Sequence, residues 1–426
     1  MAFATSWLEK RALFPELIGE APDHQTGIII VVPAFDEPGI VSLLESLALC
    51  DEPQCRVELI IIVNAHQAAD NESLKNNTIC ITNIEKWKQE NRDCFFRTYC
   101  IDVGTPSING WGVGLARKTG MDEALRRFDL IEKPGGVIVS LDADCTVEKN
   151  YLTSICDELY KGKDRNACSI GFSHPLSGTE FPEDVYKYIT LYELHMRYFY
   201  QAVRYSGFPD AYHTIGSAIA VRASAYLKAG GMNRKQAGED FYFIQKLVPL
   251  GGYFELNSTT VHPSPRTSGR VPFGTGAVIA KLLDGPTNTF LTYNTGAFRE
   301  LHLLFSGIEK LFNTDEEGII DFYNNLPPGV KSFTGLQEWI AKISEIKENT
   351  AGEGSFKKRF FGWFNMFRIV KYLNHVHLEM IKKQQVTDAA GDFLVILKKD
   401  VKAKNPYDLL IYFRLLEVSP RLIISS

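Results

Sequence analysis

No stretch of the 426-residue sequence reaches the ~18 uninterrupted apolar residues that a membrane-spanning helix needs. The opening segment has no apolar core flanked by positive charge, because Glu9, Arg11 and Glu16 interrupt it, so it does not read as a signal peptide. No C-x-x-C spacing occurs among Cys50, Cys55, Cys80, Cys94, Cys100, Cys145, Cys156 and Cys168. They read as reduced, small apolar residues and point to a cytoplasmic protein. A strong charge of one sign is also missing: the formal net charge of -5 gives no general attraction to nucleic acid or anionic lipid. What is present is ample core-forming material, with 45% hydrophobic and 12% aromatic residues. The length predicts about two domains.

After a polar leader over 1–26, Ile28-Ile29-Ile30-Val31-Val32 is a β-branched run that stops at Pro33. Apolar residues then recur at Ile40, Leu43, Leu44 and Leu47, one face of a helix. The unit repeats: Val57 to Val63 reads as a second strand, with a helix-compatible stretch around Ile84 to Glu90, and Phe95 to Ile101 as a third strand. A Gly-rich loop from Gly104 to Gly114 leads into a helix with Met121, Ala124, Leu125 and Phe128 on its apolar face. Strands alternating with helices imply βαβ units, hence a doubly wound, mostly parallel α/β sheet.

Val137-Ile138-Val139-Ser140-Leu141-Asp142-Ala143-Asp144 is the stretch around which this pattern is organised. A doubly buried strand ends in two carboxylates one residue apart. Two adjacent anions call for a cation, and hard oxygen donors suit Mg²⁺ or Mn²⁺ with room left for substrate phosphates. In open α/β sheets ligands bind outside the carboxyl ends of the strands, where Asp36 and Glu37 follow the first strand and Asn64 the second. Together these residues describe a pocket for a base, a ribose and phosphates. Gly110-Trp111-Gly112-Val113-Gly114 lacks the third glycine of a dinucleotide fingerprint and does not follow the first strand, so a Rossmann site is rejected. A Gly-rich helix start carrying Arg117 and Lys118 still suits a phosphate or nucleobase edge.

Val32-Pro33-Ala34-Phe35-Asp36-Glu37, Gly114-Leu115-Ala116-Arg117-Lys118, Asp142-Ala143-Asp144 and Gly238-Glu239-Asp240, in this order, resemble the family 2 glycosyltransferases of the GT-A fold over about residues 27 to 275. The resemblance implies that the Pro33-Ala34-Phe35 loop with Glu37, helped by Gly114 and Arg117, holds the nucleobase and ribose of a nucleoside-diphosphate sugar. It further implies that Asp142 and Asp144 bind the metal bridging the two phosphates, and that Asp240 is the general base with Glu239 as its neighbour. The family usually has Asp after the second strand, where this chain has Asn64; an amide can still pair with a base edge.

Read from the residues, Glu239-Asp240 begins a helix with Phe243, Ile244 and Leu247 on its apolar side, a position where carboxylates also simply favour the dipole. His262 ends a strand-like stretch and is a candidate third metal ligand beside Asp142 and Asp144. Arg266 and Arg270 are candidate diphosphate or acceptor-anion contacts. His213 reads first as a hydrogen-bonded structural histidine. The rings Tyr186, Tyr188, Tyr192, Tyr198, Phe199, Tyr200 and Tyr205 are either a sugar platform or the packing face of a long helix; packing is the better reading.

Residues 276–426 read as mostly helical, with a loop over 349–354. The basic and aromatic run from Phe356 to Arg368 either lies on an anionic membrane surface near a lipid-linked acceptor or lays its basic stems over a core-facing helix; the second reading is preferred. The expectation is a metal-dependent glycosyltransferase acting on an acceptor hydroxyl, inverting through Asp240. Its alternatives are a retaining enzyme with a small acidic acceptor and a non-catalytic nucleotide-binding scaffold.

Overall fold

The computed structural model describes residues 2–234, 238–267, 274–285, 290–399 and 405–418. The chain forms two compact units: residues up to 180 with 214–277, and residues 181–213 with those from 278 onward.

The first unit is built on an eight-stranded sheet. Its strands are β1 (Thr26–Ala34), β2 (Arg56–Val63), β3 (Phe96–Asp102), β4 (Val137–Ser140), β5 (Cys145–Val147), β6 (Ala167–Phe172), β7 (Ile219–Arg222) and β8 (Tyr253–Pro263), in the order β3-β2-β1-β4-β7-β6-β8-β5. β3, β2, β1 and β4 are parallel, β7 is antiparallel to both β4 and β6, and β5 is antiparallel to β8. This is the mostly parallel, doubly wound α/β sheet that the alternating pattern implied. Every residue of β1 is buried, as a central strand covered on both faces requires.

The first strand runs past its expected end at Pro33 and pairs Pro33 with Ile62 and Ala34 with Val63. On its other side the ladder with β4 ends at Val31, so the missing N–H of Pro33 breaks no bond there. The crossover from β3 to β4 lies in the helix Val113–Leu130, which packs on β1 and β2. Gly120 makes that approach possible: a Cβ there would lie 2.4 Å from Val31 Cγ1.

The leader, read as merely polar, is part of this unit. Ala4, Leu8 and Ile18 are buried, Ala4 N donates to Asp129 Oδ1 at 2.6 Å, and the backbone of Leu17 and Ile18 donates to Glu123 at 3.2 Å each. Two carboxylates on one helix therefore anchor a segment whose own sequence has no strong period.

The second unit is helical, and its long helix Glu183–Tyr205 packs on the helices Thr295–Phe305, Val386–Ile396 and Pro406–Val418. Tyr186, Tyr188, Tyr198 and Tyr200 of that helix are buried, which is the packing reading. His213 stacks on Tyr200 with centroids 4.1 Å apart and its Nε2 lies 3.1 Å from Glu417 Oε1, a structural role. The loop expected over 349–354 is shorter: 349–352 separate the helices Leu336–Glu348 and Glu353–Trp363, the second of which already includes Glu353 and Gly354. In the run that follows, Phe356, Phe360 and Phe364 are buried, while Arg368 lies over Trp363 at 4.4 Å and donates to Glu338 at 2.7 Å. Among the described residues no helix is long and apolar enough to cross a membrane.

Candidate active site

The sheet order reverses between β1 and β4, and the loops leaving these two strands form the crevice where α/β folds bind ligands. Glu37 enters it from the loop after β1. Asp36, just before it, has a left-handed φ of 58°, held by Asn77 Oδ1 accepting from Asp36 N at 2.9 Å and by Asn76 donating to Asp36 Oδ1 at 2.7 Å. Both asparagines belong to the helix Asn71–Glu90, so the turn that aims Glu37 is fixed by a neighbouring element.

Asp142 and Asp144 follow β4, each facing a guanidinium. Arg117 Nη2 donates to Asp142 Oδ1 at 2.9 Å, and Arg266 Nε donates to Asp144 Oδ2 at 2.8 Å while its Nη2 pairs with Glu37 Oε1. Arg266 thus bridges carboxylates from two strand ends. The acidic crevice holds a cation of the protein's own, which marks it as a cation-attracting site.

Arg117 is expected by the resemblance at the nucleotide, but its side chain is 3% exposed and lies beneath the crevice. Besides Asp142, its Nη1 donates to Ser140 Oγ at 2.5 Å and to Gly216 O at 2.9 Å. Its Nε lies 3.5 Å from Glu239 Oε1 and has no hydrogen-bond partner. One buried cation therefore touches the strand that carries Asp142 and the helix Glu239–Leu247 that begins with Asp240.

The Asp240 carboxyl is pushed up to about 6, first by burial and then by the neighbouring Glu239 charge, against the pull of Phe241 N–H, which donates to Oδ1 at 2.7 Å. Gly216 separates this carboxyl from the arginine: a Cβ at that position would lie 3.0 Å from Arg117 Nη2 and 3.5 Å from Asp240 Oδ2. Sequence reasoning gave no part to Ser140 or Gly216. The only signal was two small residues where a bulky apolar one would otherwise extend the core.

Asn64 differs from its expected place. It is 3% exposed; its Nδ2 donates to Ala34 O at 2.9 Å and its Oδ1 accepts from Trp111 Nε1 at 3.0 Å. Both ends of the amide tie the strand ends to the Gly-rich loop. A carboxylate could not donate to Ala34 O, which is a physical reason for Asn here. Beside it, Phe35 and His66 lie 5.1 Å apart as a tilted, part-exposed ring pair. Gly114 lies buried in the first turn of the helix Val113–Leu130, and Lys118 turns away to Asp122 at 2.7 Å.

His262 is not brought to the two aspartates. It sits on β8 opposite Thr146, with Nε2 2.9 Å from Glu148 Oε1 and Nδ1 3.0 Å from Ser173 Oγ. Among the described residues no three His, Cys, Asp or Glu side chains are placed to hold a metal ion. Asp142 and Asp144 fit the other kind of site, one or two carboxylates completed by substrate phosphates and water. Arg270 lies outside the described residues.

No family model matches the chain, and no curated protein does. Among solved structures it is similar to S. aureus TarS 1–349 in complex with UDP, at 13% identity over 78% of this chain and 89% of that one, with a TM-score of 0.37. It is also similar to the mannosyltransferase PcManGT from Pyrobaculum calidifontis in complex with GDP-Man and Mn²⁺, at 12% identity over 97% and 92% of the two chains and a TM-score of 0.39. A third is glucosyl-3-phosphoglycerate synthase from Mycobacterium tuberculosis, at 15% identity over 66% and 92% and a TM-score of 0.32.

Proposed function

We propose that the protein is a metal-dependent glycosyltransferase that moves a sugar from a nucleoside diphosphate to an acceptor hydroxyl, with inversion by direct displacement. The observation that carries this reading is the joining of two chemistries by one buried cation. Arg117 touches Asp142, beside the second carboxylate Asp144, and also Glu239, next to a carboxyl raised to about 6.

Asp142 and Asp144 would hold the divalent ion, Mn²⁺ or Mg²⁺, with His262 left to its structural partners. Bound there, the ion would supply positive charge against the departing diphosphate. Arg266, paired with Glu37 and Asp144 in the free protein, exchanges a carboxylate for a phosphate as the donor enters. Phe35 and Glu37 line the nucleoside end, and Arg117 holds Asp142 in place from below. Asp240 takes the proton of the acceptor hydroxyl as its oxygen attacks the anomeric carbon and the bond from that carbon to the phosphate oxygen breaks. A base with a pKa near the working pH is the efficient kind, and burial supplies it here.

Calorimetric titration with UDP and then GDP, each with and without Mn²⁺, tests the donor half of the reading. Metal-dependent binding of one nucleotide, lost in Asp144→Ala, is expected. Equal binding with and without metal, or binding unchanged in the variant, overturns the role given to Asp144.

A further inference from the structure

At the opposite end of the sheet from the crevice, the amino ends of β1 and β2 border a cavity of about 440 Å³ lined by His24, Cys55, Arg56, Lys133 and Tyr160 among others. Cys55, in the loop just before β2, is half-buried at this cavity; Cys156, behind it, is fully buried and opens the helical turn Cys156–Tyr160. The two sulfurs lie 3.9 Å apart. A disulfide bond is about 2 Å long, so a modest side-chain rotation closes the gap. Gly27 on β1 leaves room for the pair, since a Cβ there would lie 2.7 Å from Cys55 Cβ and 2.8 Å from its Sγ.

We infer that Cys55 and Cys156 form an oxidation site, a thiol pair that a peroxide converts into a disulfide. The charged groups around the pair are Lys133, Lys161 and Asp157, with Lys161 Nζ held by Gln54 at 2.7 Å and Asp157 at 2.8 Å. The hydrogen bond between the two thiols lowers Cys156 and raises Cys55, so the first proton lost comes off the pair rather than off either sulfur alone. Burial works the other way elsewhere, pushing Cys50 and Cys80 up to about 12 and Cys100 to about 11, and raising Cys94, Cys145 and Cys168.

Cys55, the sulfur that lines the cavity, loses its proton and attacks one oxygen of hydrogen peroxide; the S–O bond forms, the O–O bond breaks, and the leaving hydroxide takes that proton to become water. The second thiol then attacks the sulfenic sulfur, forming the S–S bond and releasing the oxygen as a second water. Two thiols are oxidised and one peroxide is reduced. The cross-link ties the loop before β2 to the turn behind β1, remote from the carboxylates of the crevice.

The test treats the full chain with hydrogen peroxide, alkylates the remaining thiols and maps peptides by non-reducing mass spectrometry. The Cys55–Cys156 peptide is expected as the first cross-link, reversible by dithiothreitol. It should form at least about tenfold faster in the folded chain than in urea, because the fold holds the two sulfurs 3.9 Å apart. In Cys156→Ser, Cys55 should be trapped by a sulfenic-acid probe with no cross-link. Oxidation of other cysteines while Cys55 and Cys156 stay alkylatable overturns the inference, as does an equal rate in urea.

Discussion

Arg117 and Arg127 lie on one helix and are both buried against carboxylates, yet the surroundings of the two differ in a way that separates function from support. Arg127 meets Glu58 of β2 through two bonds, Nε at 2.5 Å and Nη2 at 2.9 Å, and also donates to Glu20 O at 2.7 Å and Tyr99 Oη at 3.2 Å. This is the fork-to-fork pairing that fixes geometry, with each guanidinium nitrogen engaged. Arg117 divides its bonds among Ser140, Gly216 and Asp142, has its Nε 3.5 Å from Glu239 Oε1 without a hydrogen bond, and faces a carboxylate whose side chain is 36% exposed. A closed ion pair is a structural device. An open one, with a solvent-facing partner, leaves capacity for a ligand.

The sharpest test of this contrast is Asp240→Asn, expected to lower kcat by about 10²–10⁴-fold with nucleotide binding and melting temperature retained. The same base sets the pH dependence. Asp240 is protonated below about 6 and cannot take a proton there, so kcat/KM should rise with pH through about 6 and level off above it. A near-normal rate in the variant would favour a retaining mechanism or a different base.

Arg127→Met should act on stability instead. It leaves the Glu58 carboxylate inside the sheet without its cation and should cost about 3–5 kcal/mol in denaturant unfolding, with the turnover of the folded fraction unchanged. Adding Glu58→Gln should recover a large part of that loss. If Arg127→Met instead lowers kcat at full stability, the division between the two arginines fails.

The smallest effect is expected for Arg266→Ala. Loss of one phosphate contact should weaken nucleotide binding about tenfold, while Mn²⁺ alone should bind more tightly because Asp144 and Glu37 are relieved of their guanidinium. Calorimetry of both ligands on one variant reads the two shifts in opposite directions.

Much of the first unit was legible because apolar runs of strand length alternate with helical periods, which few folds other than a doubly wound sheet satisfy. The Asp142-Ala143-Asp144 strand end was visible for the same reason: charge following a fully apolar strand has to sit at the sheet's rim. The leader was not visible, since its buried anchors Ala4, Leu8 and Ile18 follow no single period and answer to Asp129 and Glu123 far along the chain. Nor was the fate of His262, where Glu148 and Ser173 compete for its ring nitrogens and win.

The sequence by itself determined the class of sheet, where along the chain its first four strands lie, and the residue types at the crevice, because burial on both faces dictates apolar strands and leaves the polar residues to the loops. Only the tertiary structure decided which partners the polar groups take. Asn64 and Arg117 read from the sequence as nucleotide contacts; packing bonds Asn64 to Ala34 and Trp111 and places Arg117 beside Asp142. Cys55 and Cys156 were two apolar residues among eight until the fold set their sulfurs 3.9 Å apart. Spacing along a chain fixes local periodicity, whereas hydrogen-bond partners and pKa values depend on groups brought together across a hundred residues.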